Sequence, residues 1–129
     1  MTKIPELFDR GLAVRTEVLG RAHVEGALKR ATPFNEDFQT LVTQYAWGGV
    51  WTRPGLDRKT RSMLTIAMLA ALGHHEELKL HVRATRNTGV SQDEVKEILR
   101  QGAAYAGVPA ANSAFAHARQ AYEEMGKTP

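Results

Sequence analysis

The side chains best suited to chemistry lie between Trp47 and His81. Glu77 and His81 are four residues apart, so on a helix their side chains meet on one face. A carboxylate beside an imidazole fixes the tautomer of the ring and raises its basicity, which suits general acid–base catalysis. The same spacing also occurs in solvated surface pairs, so the pair alone does not establish a site.

Two arginines flank the Pro-Gly turn of this stretch, Arg53 before it and Arg61 after it. Arg61 lies one turn into an apolar helix, where a lone charge is costly, so we expect an acid or a bound anion beside it. A structural ion pair and a substrate anion explain Arg61 equally well. Trp47 and Trp51 indicate either core packing or the apolar wall of a small pocket.

A metal site at His74, Glu77 and His81 is the main alternative chemistry. Their spacing, H-x-x-E-x-x-x-H, matches no established metal motif, and His74 precedes the helix that carries the other two. We therefore expect no metal. His23 is better explained as a core histidine, and Tyr105 as a packed side chain, although each could join a site.

Composition is that of an ordinary globular protein: 129 residues, 43% hydrophobic, 24% charged, no cysteine and a net charge of +3. The basic residues are scattered and lack interleaved aromatics, so no nucleic-acid partner is expected. The longest apolar run, Met63 to Gly73, is too short to cross a bilayer, and no signal peptide is visible. We expect one domain over residues 1–129, with no membrane partner and a cytoplasmic location.

Apolar spacing and capping residues predict an all-α single-domain bundle of about six helices, with no strand pattern. The predicted segments are Pro5–Leu19, Arg21–Lys29 (a helix or a continuation after a kink), Asn35–Trp47, Asp57–Leu72, His75–Thr88, Ser91–Ala106 and Pro109–Glu124. Asn35 is the expected cap of its helix, and the expected apolar stripe there includes Phe38 and Tyr45. Beyond Arg61, the helix to Leu72 is apolar on nearly every face, which predicts burial on all sides. One subunit has few helices to cover it, so we expect a homo-oligomer.

Several segments together resemble the 4-carboxymuconolactone decarboxylase family of the alkylhydroperoxidase-D-like superfamily. They are Ala46–Leu56, Thr60–Leu69, Glu77–Ala84 and Tyr105–Asn112, with weaker likeness in Asp9–Arg15 and Val18–Val24. Peroxidases of the same superfamily use a Cys-x-x-Cys pair before a histidine that would match His81. This chain has no cysteine and holds His74 and Glu77 at those positions, so the resemblance implies the decarboxylase branch.

The resemblance implies an alkylhydroperoxidase-D-like helical fold, a hexamer, and cytoplasmic decarboxylation of 4-carboxymuconolactone to β-ketoadipate enol-lactone. That reaction belongs to the protocatechuate branch of the β-ketoadipate pathway of aromatic degradation. No cofactor is expected, because the unsaturated lactone is its own electron sink. The residues suit three tasks: Arg53 or Arg61 can hold a carboxylate or a developing oxyanion, and His81, oriented by Glu77, can supply a proton. Trp47 and Trp51 can keep the leaving carboxylate away from water.

Overall fold

The computed structural model describes residues 2–129, and this part of the chain contains seven α-helices, one π-helix and no β-strand. In chain order they are α1 (Pro5–Leu19), α2 (Arg21–Arg30), α3 (Glu36–Val42), the π-helix (Thr43–Gly48), α4 (Arg58–Leu72), α5 (His75–Thr88), α6 (Gln92–Ala106) and α7 (Val108–Glu124). The predicted all-α fold is confirmed, and the predicted number of about six helices is close.

The helices are grouped into two compact units that divide between Asp57 and Arg58. The N-terminal unit contains α1–α3 and the π-helix, and the C-terminal unit contains α4–α7. A single domain over residues 1–129 stays a prediction. Within residues 2–129, no helix combines the length and the apolar character needed to cross a membrane.

Local capping chemistry sets most helix ends where the sequence predicts them. Gly20 and Gly89 follow α1 and α5 with φ of 92° and 84°, a backbone region that favours glycine. Ser91 opens α6 with a complete capping box: its hydroxyl accepts from the Glu94 N–H at 3.0 Å, and the Glu94 carboxylate accepts from the Ser91 N–H at 2.9 Å. That backbone hydrogen bond, followed by the Lys59 ammonium, lowers the pKa of Glu94.

The N-terminal unit is held by a close backbone approach between α1 and the π-helix. A Cβ on Gly11 would lie 2.1 Å from the Thr43 carbonyl oxygen, and one on Gly48 would lie 2.6 Å from the Leu7 carbonyl oxygen. Only glycine fits at either position, because a side chain would force the two backbones apart. Gln44 adds a second tie, since its side chain accepts from the Ile4 N–H and donates to the Thr2 carbonyl at 3.3 Å.

Three predictions about the segment from Asn35 to Trp47 are wrong. Asn35 makes no side-chain cap of α3, because its Oδ1 accepts from the Thr32 N–H at 2.8 Å instead. Phe38 and Tyr45 are not buried but 59% and 70% exposed. The helix is also not α-helical to its end, since the π-helix begins at Thr43 and changes the angular spacing that the α-helical stripe assumed.

The C-terminal unit has one apolar core shared by its four helices. The largest side chains in this core with at most 2% exposure are Ile66 of α4, Leu78 and Val82 of α5, and Val95 and Leu99 of α6. Helix α7 contributes small side chains at Ala114, Ala118 and Ala121, which let it lie close to its neighbours. The pairing of α4 with α5 is fixed by a buried hydrogen bond from the Thr88 hydroxyl to the Ser62 hydroxyl at 2.9 Å.

Helix α4 is not buried on all sides within one chain, and its predicted burial on all sides in a homo-oligomer stays a prediction. Its buried residues are Ser62, Ile66 and Ala70, which form one stripe at four-residue spacing. On another face Leu64, Met68 and Leu72 are 46%, 57% and 69% exposed. The apolar character of this face is therefore not explained by packing among the described residues of one chain.

We predict that Gly11→Ala lowers the free energy of unfolding by about 1–3 kcal/mol or more, because the new methyl group overlaps the Thr43 carbonyl. Gly55→Ala is the matched control, since a Cβ there meets no atom within 4 Å. We expect it to change stability by less than about 1 kcal/mol. Urea denaturation followed by circular dichroism measures both. Equal effects of the two substitutions would show that the close approach does not hold α1.

Candidate functional site

The two tryptophans predicted to form an apolar wall stack on each other in the N-terminal unit. Their ring centroids are 4.9 Å apart with an interplanar angle of 25°. Trp47 lies on the π-helix and is 7% exposed, whereas Trp51 is half-buried in the turn that follows. The turn brings them together because the N–H groups of Val50 and Trp51 both donate to the Ala46 carbonyl, at 3.2 and 3.0 Å.

Arg53 lies two residues beyond the stacked pair, in the exposed connector before Asp57. Its backbone N–H donates to the Val50 carbonyl at 3.1 Å, so the connector begins as a tight turn. The Thr52 hydroxyl strengthens this turn by donating to the Gly48 carbonyl at 2.6 Å. Arg53 thus presents its guanidinium from a segment that is anchored to the π-helix.

Arg15 of α1 is a candidate that the sequence analysis missed. Its side chain is only 6% exposed. Its Nη1 donates to the Gln39 Oε1 at 3.0 Å and to the Thr43 Oγ1 at 3.2 Å. Burial lowers the pKa of the guanidinium, because a charged group loses its hydration in the interior. A buried arginine between neutral partners is a candidate for anion binding.

His81 is buried in the C-terminal unit, with 8% exposure, and its Nδ1 atom is fully shielded from solvent. It precedes Thr88 by seven residues, so the two side chains share a face of α5. Thr88 contacts Ser62 of α4, which places the His81 ring on the side of α5 that faces α4. The helix packing therefore encloses the His81 ring and shields it from solvent.

Arg61 lies beside Ser62 near the start of α4 and is partly buried, with its Nε atom fully shielded. Because Ser62 pairs with Thr88, the Arg61 backbone lies about 10 Å along the helix direction from His81, at a rise of 1.5 Å per residue. Arg61 and His81 thus belong to two helices that pack against each other, and their action on one substrate stays a prediction.

Glu77 lies one turn before His81 on α5 and is exposed. His74, at the start of the same helix, is exposed as well. Within residues 2–129, no group of three or more histidine or acidic side chains could hold a metal ion, so His74, Glu77 and His81 form no such group. The orientation of His81 by Glu77 stays a prediction.

Two cavities open on the C-terminal unit, with volumes of about 1030 and 840 Å³. The larger lies at α6 and α7, with Lys96, Phe115 and Arg119 in its lining. The smaller is lined largely by apolar residues of α4 and α6 and by Tyr105. Tyr105 is 85% exposed, so its predicted packing is wrong. Neither cavity is lined by Arg61, Glu77 or His81.

Comparison with known proteins links the chain to one family of lyases. A model described as the carboxymuconolactone decarboxylase family matches residues 36–120. The chain is 48% identical to a 4-carboxymuconolactone decarboxylase of Acinetobacter baylyi, over 95% of this chain and 91% of that protein. It is also 44% identical to a nitrosuccinic acid decarboxylase of Metarhizium robertsii, over 92% of this chain and 83% of that protein.

Proposed function

The chain belongs to the carboxymuconolactone decarboxylase family, and on this premise we propose that it removes CO2 from 4-carboxymuconolactone to give β-ketoadipate enol-lactone. The observation that carries this proposal is the 48% identity to the Acinetobacter baylyi enzyme over 95% of this chain. The chain is thus a carboxy-lyase, and its reaction is a step of the protocatechuate branch of the β-ketoadipate pathway.

The substrate itself supplies the electron sink for this reaction. When the ring carboxylate leaves as CO2, its bonding electrons move through the double bond into the lactone carbonyl. Protonation of the α-carbon then gives the product. The protein has three tasks: it holds the carboxylate that remains, stabilises the charge on the carbonyl oxygen, and delivers a proton to carbon.

His81 is the proposed proton donor. Its burial supports this role, because a ring held by packing keeps one geometry, and a proton transfer to carbon depends on geometry. Glu77, one turn earlier on α5, is proposed to fix the tautomer of the ring and its basicity. Glu77 is exposed, so this role requires its side chain to turn toward the His81 ring.

The arginines and tryptophans are the proposed substrate contacts. A guanidinium binds a carboxylate through two parallel hydrogen bonds, which suits Arg53 and Arg61 for the retained carboxylate and the developing oxyanion. The stacked rings of Trp47 and Trp51 offer an apolar surface. A carboxylate against such a surface is poorly hydrated, and this favours its departure as neutral CO2.

We further propose a cytoplasmic homo-oligomer, a hexamer by family resemblance. The exposed apolar face of α4, with Leu64, Met68 and Leu72, supports association, because contiguous apolar surface of this kind commonly marks an interface.

Decarboxylation of nitrosuccinic acid is the second candidate, favoured by the Metarhizium robertsii relative. Nitrosuccinic acid is also a dicarboxylic acid, and its nitro group can accept the electrons that the leaving carboxylate releases. The chemical demands on the protein are therefore the same, and the two substrates differ mainly in shape.

We expect the purified protein to consume 4-carboxymuconolactone and to release one CO2 for each lactone lost, as measured by ultraviolet absorbance and CO2 capture. Nitrosuccinic acid at the same concentration is the matched comparison. Faster turnover of nitrosuccinic acid would move the assignment to the second candidate. Loss of activity after exhaustive chelation would instead favour the hypothesis that His74, Glu77 and His81 bind a metal ion.

His81→Ala should lower kcat by about 10²–10⁴, because the proton then comes from water. Glu77→Gln should cost less, since it disturbs the ring without removing it. His74→Ala, which removes an exposed histidine of the same helix, is the matched control and should keep wild-type kcat. The assignment is wrong if His81→Ala keeps near wild-type turnover or if His74→Ala shows the larger loss.

Arg61→Met should lower kcat/KM while the helices stay folded. The expected loss of transition-state stabilisation is about 2–4 kcal/mol. Arg100→Met, on the exposed surface of α6, is the control for loss of a positive charge. Steady-state kinetics and circular dichroism measure the two effects. A variant that unfolds, yet keeps full activity per folded molecule, would identify Arg61 as a structural ion-pair partner instead.

A further inference from the structure

Arg15 is a buried positive charge without a buried negative charge beside it. It makes no ion pair with any residue in 2–129, and its hydrogen-bond partners there, Gln39 and Thr43, are neutral. An uncompensated charge in the interior is unfavourable, whereas a neutral donor could link α1 to Gln39 and Thr43 without that penalty. The charge of Arg15 therefore points to an anion that belongs beside it.

One edge of the Arg15 guanidinium has no hydrogen-bond partner among the described residues. Nη1 is occupied by Gln39 and Thr43, but Nε is fully shielded from solvent and has no hydrogen-bond partner within the described residues. The Nε and Nη2 N–H groups lie side by side along this edge. A guanidinium edge of this kind donates two parallel hydrogen bonds to a planar anion with two oxygens, such as a carboxylate.

The guanidinium is held in place before any ligand arrives. The Thr43 hydroxyl donates to the Gln39 carbonyl at 2.7 Å, so its oxygen is oriented to accept from Arg15. The contact of Gly11 with Thr43, one turn earlier on α1, fixes the spacing of the two helices. Binding at such a site costs little side-chain entropy.

The second helix of this arrangement has a feature that is frequent at functional sites. Thr43 is the first residue of the π-helix, and Trp47 of the stacked pair follows it by four residues on the same element. Turns of π-helix are less stable than α-helix and are found often where proteins bind ligands. Arg15 and the tryptophans are thus positioned by one short segment.

We propose that Arg15 binds, through Nε and Nη2, the carboxylate that the substrate retains after CO2 is lost. This inference rests on the proposed function, because the carboxylate is that of the lactone. Arg15 is then a further substrate-binding residue, and it selects for substrates with a second carboxylate.

The test compares Arg15→Gln and Arg15→Lys with Arg10→Gln, which removes an exposed charge from the same helix. Sodium malonate is the carboxylate probe, and malonamide at equal ionic strength is its uncharged control. Malonate should raise the melting temperature of the wild type and of Arg10→Gln in a saturable way. The rise should fall most in Arg15→Gln and less in Arg15→Lys, which keeps the charge but not the planar fork.

Kinetics give the second arm of the test. Arg15→Gln should lower kcat/KM for the lactone by about 10- to 100-fold, mainly through KM, as expected for loss of a charge-assisted contact. Circular dichroism first establishes that each variant is folded. If Arg15→Gln does not fold, Arg15→Lys decides, and an undiminished malonate effect in it overturns the inference.

The inference and the proposed function fail in different ways. A folded Arg15→Gln variant with wild-type KM and an unchanged malonate effect overturns the inference. Arg15 then serves only to link α1 to α3, and the proposed function is unaffected. A wild type that does not decarboxylate the lactone overturns the proposed function and with it the identity of the substrate carboxylate. In that case the malonate melts alone decide whether Arg15 binds carboxylates.

Discussion

Packing of α5 against α4 on one side and α7 on another is the constraint on which the C-terminal unit depends. Leu78 and Val82 are completely buried between these helices. The hydrogen bond between Thr88 and Ser62 sets the register with α4, and the ion pair of Lys79 with Glu124 at 3.1 Å does the same with α7. His81 lies within this packed segment, so its position is a consequence of the core. The proposed role of His81 as proton donor therefore requires no scaffold beyond this core.

The N-terminal unit reaches the same kind of rigidity through backbone contact. Helix α1 and the π-helix approach so closely at Gly11 and Gly48 that no side chain separates them. This approach gives Arg15 its two neutral partners and carries Trp47 on the same segment. The polar groups of this unit are thus held by backbone packing before any ligand binds.

Sequence reasoning succeeded where the signal is local and failed where it depends on neighbours. Helix ends at Gly20, Gly89 and Ser91 follow from backbone conformation and capping, which a few adjacent residues determine. The π-helix was missed because the apolar pattern of this segment was interpreted with α-helical spacing throughout. Burial of Arg15 was missed too, although it stands on one helical face with Gly11, Val18 and Leu19. An arginine inside such a stripe was the available signal. The packing of α4 against α5, α6 and α7 determines which of its apolar faces is covered, and the sequence of α4 alone does not predict that packing.

Proton delivery from a fixed group inside the protein is the central claim, and the configuration of the product tests it most directly. The lactone is turned over in D2O, and the α-carbon of the product is examined at early times, before solvent exchange, by deuterium NMR in a chiral liquid-crystalline medium, which separates the signals of the two enantiomers. We predict one deuterium in a single configuration, because a buried His81 reaches the carbanion from one face. Equal amounts of the two configurations would contradict the claim, since protonation by solvent has no preferred face.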